Sequence, residues 1–207
     1  ARAGRRILSL KRRLSWPAAQ MTGGRADRAR AVVEAATSIG CEGPVALWKP
    51  PRRLRALANL VVSVDGFDRD KYALLVRGPS SSAALVVLDA KALAAVTAEA
   101  PDDAPLEVER CVLLDATARV DRAASKSQNS SGGRLLECFA VVEDPPNLAT
   151  PAASPSEAAE SSAPAAGATT LILGVDDARP WLAALACAVT DAARGASSSS
   201  KSVASTE

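Results

Sequence analysis

The chain has 207 residues, 48% of them hydrophobic but only 3% aromatic, with 25 Lys+Arg against 23 Asp+Glu for a net charge of +2. That length fits one ordinary domain with extensions, and the near balance of charge excludes a uniformly basic coat for nucleic acid. No histidine is present, which excludes histidine-dependent triads, histidine general bases and Cys/His zinc patterns.

Residues 1–24 read as a basic, flexible tail. Residues 1–26 contain Arg2, Arg5, Arg6, Lys11, Arg12, Arg13 and Arg25 and no acid. The run from Arg5 to Leu14 has the spacing of a short basic amphipathic helix that Pro17 would stop. An Arg-rich, acid-poor start beginning at Ala1 also fits an organellar transit segment or a processed end, the minor alternative. Residues 25–40 read as a helix or linker from Arg25 to Ser38, with Val32, Val33 and Ala36 on one side and Gly40 as its stop.

The period then changes to that of strands. Val45–Lys49 is a short extended piece ended by Pro50-Pro51. Leu57–Val64 is apolar and β-branched, and Asp65-Gly66 separates it from Lys71–Arg77. A short turn of ordinary chemistry favours pairing these two as a hairpin. Gly78–Ser82 is a turn cluster, followed by strands at Ala84–Leu88, Val108–Leu114, Thr117–Asp121, Leu135–Glu143 and Thr169–Val175. Residues 144–168, rich in Pro, Ala, Ser and Glu, lack the apolar surface to offset ordering entropy and read as a disordered insert. The last helix is capped by Asp176 or Asp177, with Pro180 in its first turn. Its stripe is Trp181, Leu185, Ala188 and Val189, and Gly195 reads as its stop before a disordered Ser-rich tail at 196–207. Several strands followed by one amphipathic helix argue for an antiparallel sheet closed or capped by that helix.

The cysteines, Cys41, Cys111, Cys138 and Cys187, are widely spaced. They read as small hydrophobes in a reducing compartment and not as a metal site. P-loop, GxGxxG and GxSxG patterns are lacking, and the carboxylate pairs fall at turns and caps, so no enzyme activity is expected. Basic residues mixed among acids, without exposed aromatic platforms, argue against nucleic-acid binding.

Residues 45–195 resemble a pleckstrin homology (PH) domain. Three stretches carry the resemblance. Thr169–Val175 leads through an acidic turn to a helix with Trp181, which looks like the family's last strand, helix and marker tryptophan. Lys71–Val76 looks like its second strand. Val108–Leu114 and Leu135–Val142 fit the middle strands. The resemblance implies a mainly β fold with a C-terminal helix, a seven-stranded bent antiparallel barrel capped by that helix, with no cofactor. The first strand is Val45–Lys49 in one register and Leu57–Val64 in the other, and the short turn favours the second.

Lipid-binding members of the family hold inositol phosphates with basic residues of the first two strands. Carried over, this implies Lys49, Arg69 and Lys71, with Arg52, Arg53 and Arg55 adding positive potential. Asp65, Asp68 and Asp70 stand against it, because they would repel a polyanion. The leading expectation is a non-catalytic module of a cytoplasmic or peripheral membrane signalling or scaffold protein. It would dock to protein partners with help from anionic lipid. The alternatives are a phosphoinositide-specific membrane-targeting domain and a structural subunit of a larger assembly. The basic N-terminal run, with Ile7, Leu8, Leu10, Leu14 and Trp16, offers a separate membrane route. Arg12-Arg13-Leu14-Ser15 matches basophilic kinases, which makes Ser15 a phosphorylation candidate.

Overall fold

In the computed structural model the structure describes residues 2–17, 24–49, 67–89, 105–123, 136–143 and 169–199. The elements are α1 (Arg2–Arg13), β1 (Leu14–Ser15), α2 (Gly24–Ala35), β2 (Ser38–Trp48), β3 (Phe67–Arg77), β4 (Ala83–Asp89), β5 (Leu106–Leu114), β6 (Ala118–Ala123), β7 (Glu137–Glu143), β8 (Thr169–Val175) and α3 (Arg179–Ser199). The chain is thus mainly β with a C-terminal helix.

The expected seven-stranded antiparallel barrel is not what forms. The strands make one eight-stranded sheet in the order β1-β5-β4-β3-β2-β8-β7-β6. β1 joins β5 in parallel, through Leu14 opposite Leu106 and Ser15 opposite Glu107, so the sheet is mixed. Among the described residues its two ends do not pair, so it is open. β1 covers only Leu106 and Glu107 of the outer edge of β5, and the rest of that edge, up to Leu114, meets no strand among the described residues. Two further helices, α1 and α2, precede the strands expected of the barrel.

The first strand also corrects the expected hairpin. β3 pairs with β2 along one edge, from Ser38 opposite Arg77 to Trp48 opposite Phe67. It pairs with β4 along the other edge. A strand has only two edges, so Lys71–Arg77 has no place for Leu57–Val64, which lies outside the described residues. The partner is the strand containing Val45–Trp48, which begins seven residues earlier than the sequence suggested. Gly40 therefore sits within β2 and does not stop a helix. Pro44 is tolerated there because β2 meets β8 only from Ala46 onward, leaving the edge beside Pro44 unpaired.

Burial explains the composition of the central strands. Six consecutive residues of β3, Lys71–Val76, and six of β4, Ala83–Leu88, are buried. One face of β3 and β4 offers Ala73, Leu75, Leu85 and Val87 to the main core, which α3 completes with Trp181, Leu185 and Ala188. The opposite face offers Tyr72, Leu74, Val76 and Val86 to Ile7 and Leu10 of α1 and Val33 of α2. Strands covered on both faces become continuous apolar runs. Residues 2–15, expected as part of a flexible tail, form α1 and β1. Burying each of Ile7, Leu10 and Val33 contributes roughly 1.5–3 kcal/mol.

Local chemistry sets the helix ends. Lys11 donates from Nζ to the Glu34 carbonyl at 2.8 Å, placing a cation on the last turn of α2. At the start of α3 the Asp177 carboxylate accepts from the Arg179 N–H at 3.0 Å, and Glu137 accepts from the Ala178 N–H at 2.8 Å. Gly195, expected as the stop, lies inside α3. The Gly78–Ser82 turn joins β3 to β4, with Ser80 and Ser81 in the left-handed region at φ 55° and 63°. Two such residues in succession match the twist of a tight hairpin. The insert at 144–168 and the end of the tail, 200–207, lie outside the described residues.

Candidate functional site

Two of the basic residues singled out for lipid binding, Lys49 and Lys71, come together on Asp68 and Glu109 at one end of the main core. Lys71 continues the row of Ala73 and Leu75 by the two-residue period of β3. Its side chain is only 5% exposed. Three carboxylates surround its ammonium group: Glu109 Oε2 at 2.7 Å, Asp68 Oδ2 at 3.1 Å and Asp89 Oδ2 at 3.6 Å. Lys49, which is 54% exposed, reaches two of the same groups, Glu109 Oε1 at 2.8 Å and Asp68 Oδ2 at 2.9 Å.

The fold brings each acid there for a reason. Asp89 is the direct cross-strand partner of Lys71 in the β3–β4 ladder. Glu109 sits where the β4–β5 register shifts, between the Val108–Leu88 and Arg110–Val87 pairs. An extra residue of this kind re-aims a side chain out of the regular alternation. Asp68 lies opposite Leu47, just past the irregularity that interrupts the β2–β3 register after Val45.

The electrostatics follow from that packing. Burial pulls the Lys71 ammonium toward losing its proton, but the hydrogen bonds and charges of Glu109 and Asp68 outweigh it and hold the group above its ordinary value. The hydrogen bonds to Asp68 and Glu109 likewise raise Lys49. The hydrogen bond from Lys49, helped by Lys71, pulls Asp68 down to about 2. Two ammonium groups thus face three carboxylates. A polyanionic headgroup entering here would have to break the bridges and meet the freed carboxylates.

The remaining candidates do not join this cluster. Arg69 is exposed on β3 beside the exposed Asp70. Arg52, Arg53 and Arg55 lie outside the described residues. Ser15 is exposed in β1. Trp181 is buried and stacks on Phe139, with ring centroids 6.1 Å apart at 24°, so its place is in the core. The Cys138 side chain is buried, Cys41 and Cys111 are half-buried, and Cys187 is exposed. Burial pushes the Cys111 thiol up to about 12, which leaves it protonated and inert.

Sequence reasoning flagged Asp68 but missed Asp89 and Glu109. Both are distant in sequence, and only the strand register brings them to Lys71.

Two other features lie elsewhere on the molecule. Arg25 at the start of α2 reaches Asp115 at 3.0 Å and Glu143 at 3.3 Å, and Glu143 accepts from the Leu113 N–H at 3.1 Å. These contacts bridge β5 and β7 across the opening where the sheet does not pair. Burial raises the Glu143 carboxyl, opposed by the Arg25 charge and the Leu113 N–H. Nearby, a cleft of about 550 Å³ opens between α2, the turns after β3 and β5, and α3. Its apolar lining includes Val32, Leu113, Leu114 and Ala192, with Arg28 and Asp115 as charged members.

Among the described residues no helix is long and apolar enough to cross a membrane. No family model and no curated protein matches the chain. Among solved structures, the crystal structure of the complex of PDZ-RhoGEF DH/PH domains with GTP-gamma-S activated RhoA is similar, at 13% identity and a TM-score of 0.49. That alignment covers 92% of this chain, which spans 40% of the length of the other.

Proposed function

We propose that the chain is a non-catalytic, PH-like docking module of a signalling or scaffold protein that engages protein partners and does not read phosphorylated inositol lipids. The observation that carries this reading is the pairing of Lys49 and Lys71 with Asp68, Asp89 and Glu109. Where a lipid-reading member would keep positive charge for the phosphates, this chain uses it internally. The absence of histidine and of nucleotide-binding motifs from the sequence supports a non-catalytic role. The cleft beside Val32 and Leu114 supports protein docking, because an apolar floor with a polar rim suits a partner's apolar side chain.

The test compares vesicles containing phosphatidylinositol bisphosphate with phosphatidylserine vesicles of matched charge. The reading predicts equal binding to both, unchanged in Lys49→Ala. A preference of tenfold or more for the inositol lipid, lost in Lys49→Ala, would replace it with the lipid-reading alternative.

A further inference from the structure

The outward face of α1 carries charge that the lysine cluster does not. α1 holds six basic residues, Arg2, Arg5, Arg6, Lys11, Arg12 and Arg13, and no acid. Ile7 and Leu10 are buried against the sheet, and Lys11 is bonded to the end of α2, which fixes the rotation of the helix. The opposite side therefore faces outward. On it Leu8 is 54% exposed, the only large hydrophobic so exposed among the described residues, and Arg12 is exposed one turn further on. The nearby Glu34 carboxylate is bound to Arg30 at 2.7 Å, so it is already engaged within α2.

We infer that this face of α1 is a docking surface for an anionic lipid bilayer, read by charge and not by headgroup identity. A helix with six basic residues and no acid, exposing Leu8 and Arg12 on its outer side, suits an interface in which cations meet lipid phosphates and the leucine enters the acyl boundary. Because α1 is packed onto the sheet, the bilayer would hold the module in one orientation. The inference is independent of the protein-docking reading, since it rests on a different surface.

The full chain is sedimented with phosphatidylcholine vesicles with and without phosphatidylserine, at low and high salt. The expected result is binding that requires phosphatidylserine and weakens steeply with salt. Arg12→Glu should lower affinity about tenfold, and Leu8→Ser should lower it several-fold. Both residues are exposed, so both variants keep their circular dichroism spectrum and unfolding midpoint. Lys49→Ala should bind like the parent chain. Failure to bind phosphatidylserine vesicles at low salt would overturn the inference and leave the face to an acidic protein. Binding unaffected by Arg12→Glu, or equal on both vesicles, would overturn it too.

Discussion

Asp68 shows how a single side chain reports on the lysine cluster. Its carboxyl titrates at about 2 in the fold against an ordinary 3.8. Between those values the unfolded chain binds the proton and the folded chain does not. Stability from this group is therefore fully present above about pH 4 and is lost as pH falls through about 2. Acid unfolding followed by circular dichroism should show this loss, and Asp68→Asn should flatten the slope in that window. An unchanged slope would mean the Lys49 and Lys71 bridges do not form in solution. The sequence made Lys71 and Asp68 legible as charged neighbours on one strand. It could not show Asp89 or Glu109, because one depends on the β3–β4 register and the other on an irregularity between β4 and β5.

Among the elements, the strands and the last helix were the most legible, because each carries a local signal: alternation, turn clusters, or a Pro-started amphipathic stripe. Thr169–Val175 matches β8 as read. The first strand was misread because the apolar run Leu57–Val64 and the Asp65-Gly66 turn offer a local hairpin signal, while the real partner of β3 ends at Trp48, too far back in the sequence for any turn motif to reveal it. The amphipathic run in α1 was legible, but not the sheet face it covers. That face is visible only once β3 and β4 are known to be buried on both sides. Trp181→Ala, which empties a filled core site against Phe139, should cost about 3–5 kcal/mol. Ile7→Ala should cost less, about 2 kcal/mol, because a helix at the edge of the fold relaxes more easily. Urea unfolding of the two variants checks both values and their order. Equal stability of Ile7→Ala and the parent chain would mean that α1 is not docked.

In the whole molecule the open sheet is bridged by side chains instead of a ladder. Glu143 takes the Leu113 N–H and, with Asp115, the Arg25 guanidinium, so α2 and β7 meet at the opening. Glu143→Ala should cost about 1–3 kcal/mol through the stranded N–H, and the Leu113 amide should exchange faster than its β5 neighbours by hydrogen-exchange NMR. The open sheet leaves two surfaces with different chemistry, the self-paired lysine end and the basic helix α1. The central claim concerns the first of these: its positive charge is consumed within the protein. Titration calorimetry with soluble inositol trisphosphate tests it most directly, on the parent chain and on an Asp68→Asn, Glu109→Gln variant that removes both bridges of Lys49 and leaves Lys71 only Asp89. The account predicts no measurable binding by the parent and measurable binding by the variant. Binding by the parent chain that disappears in Lys49→Ala would contradict it.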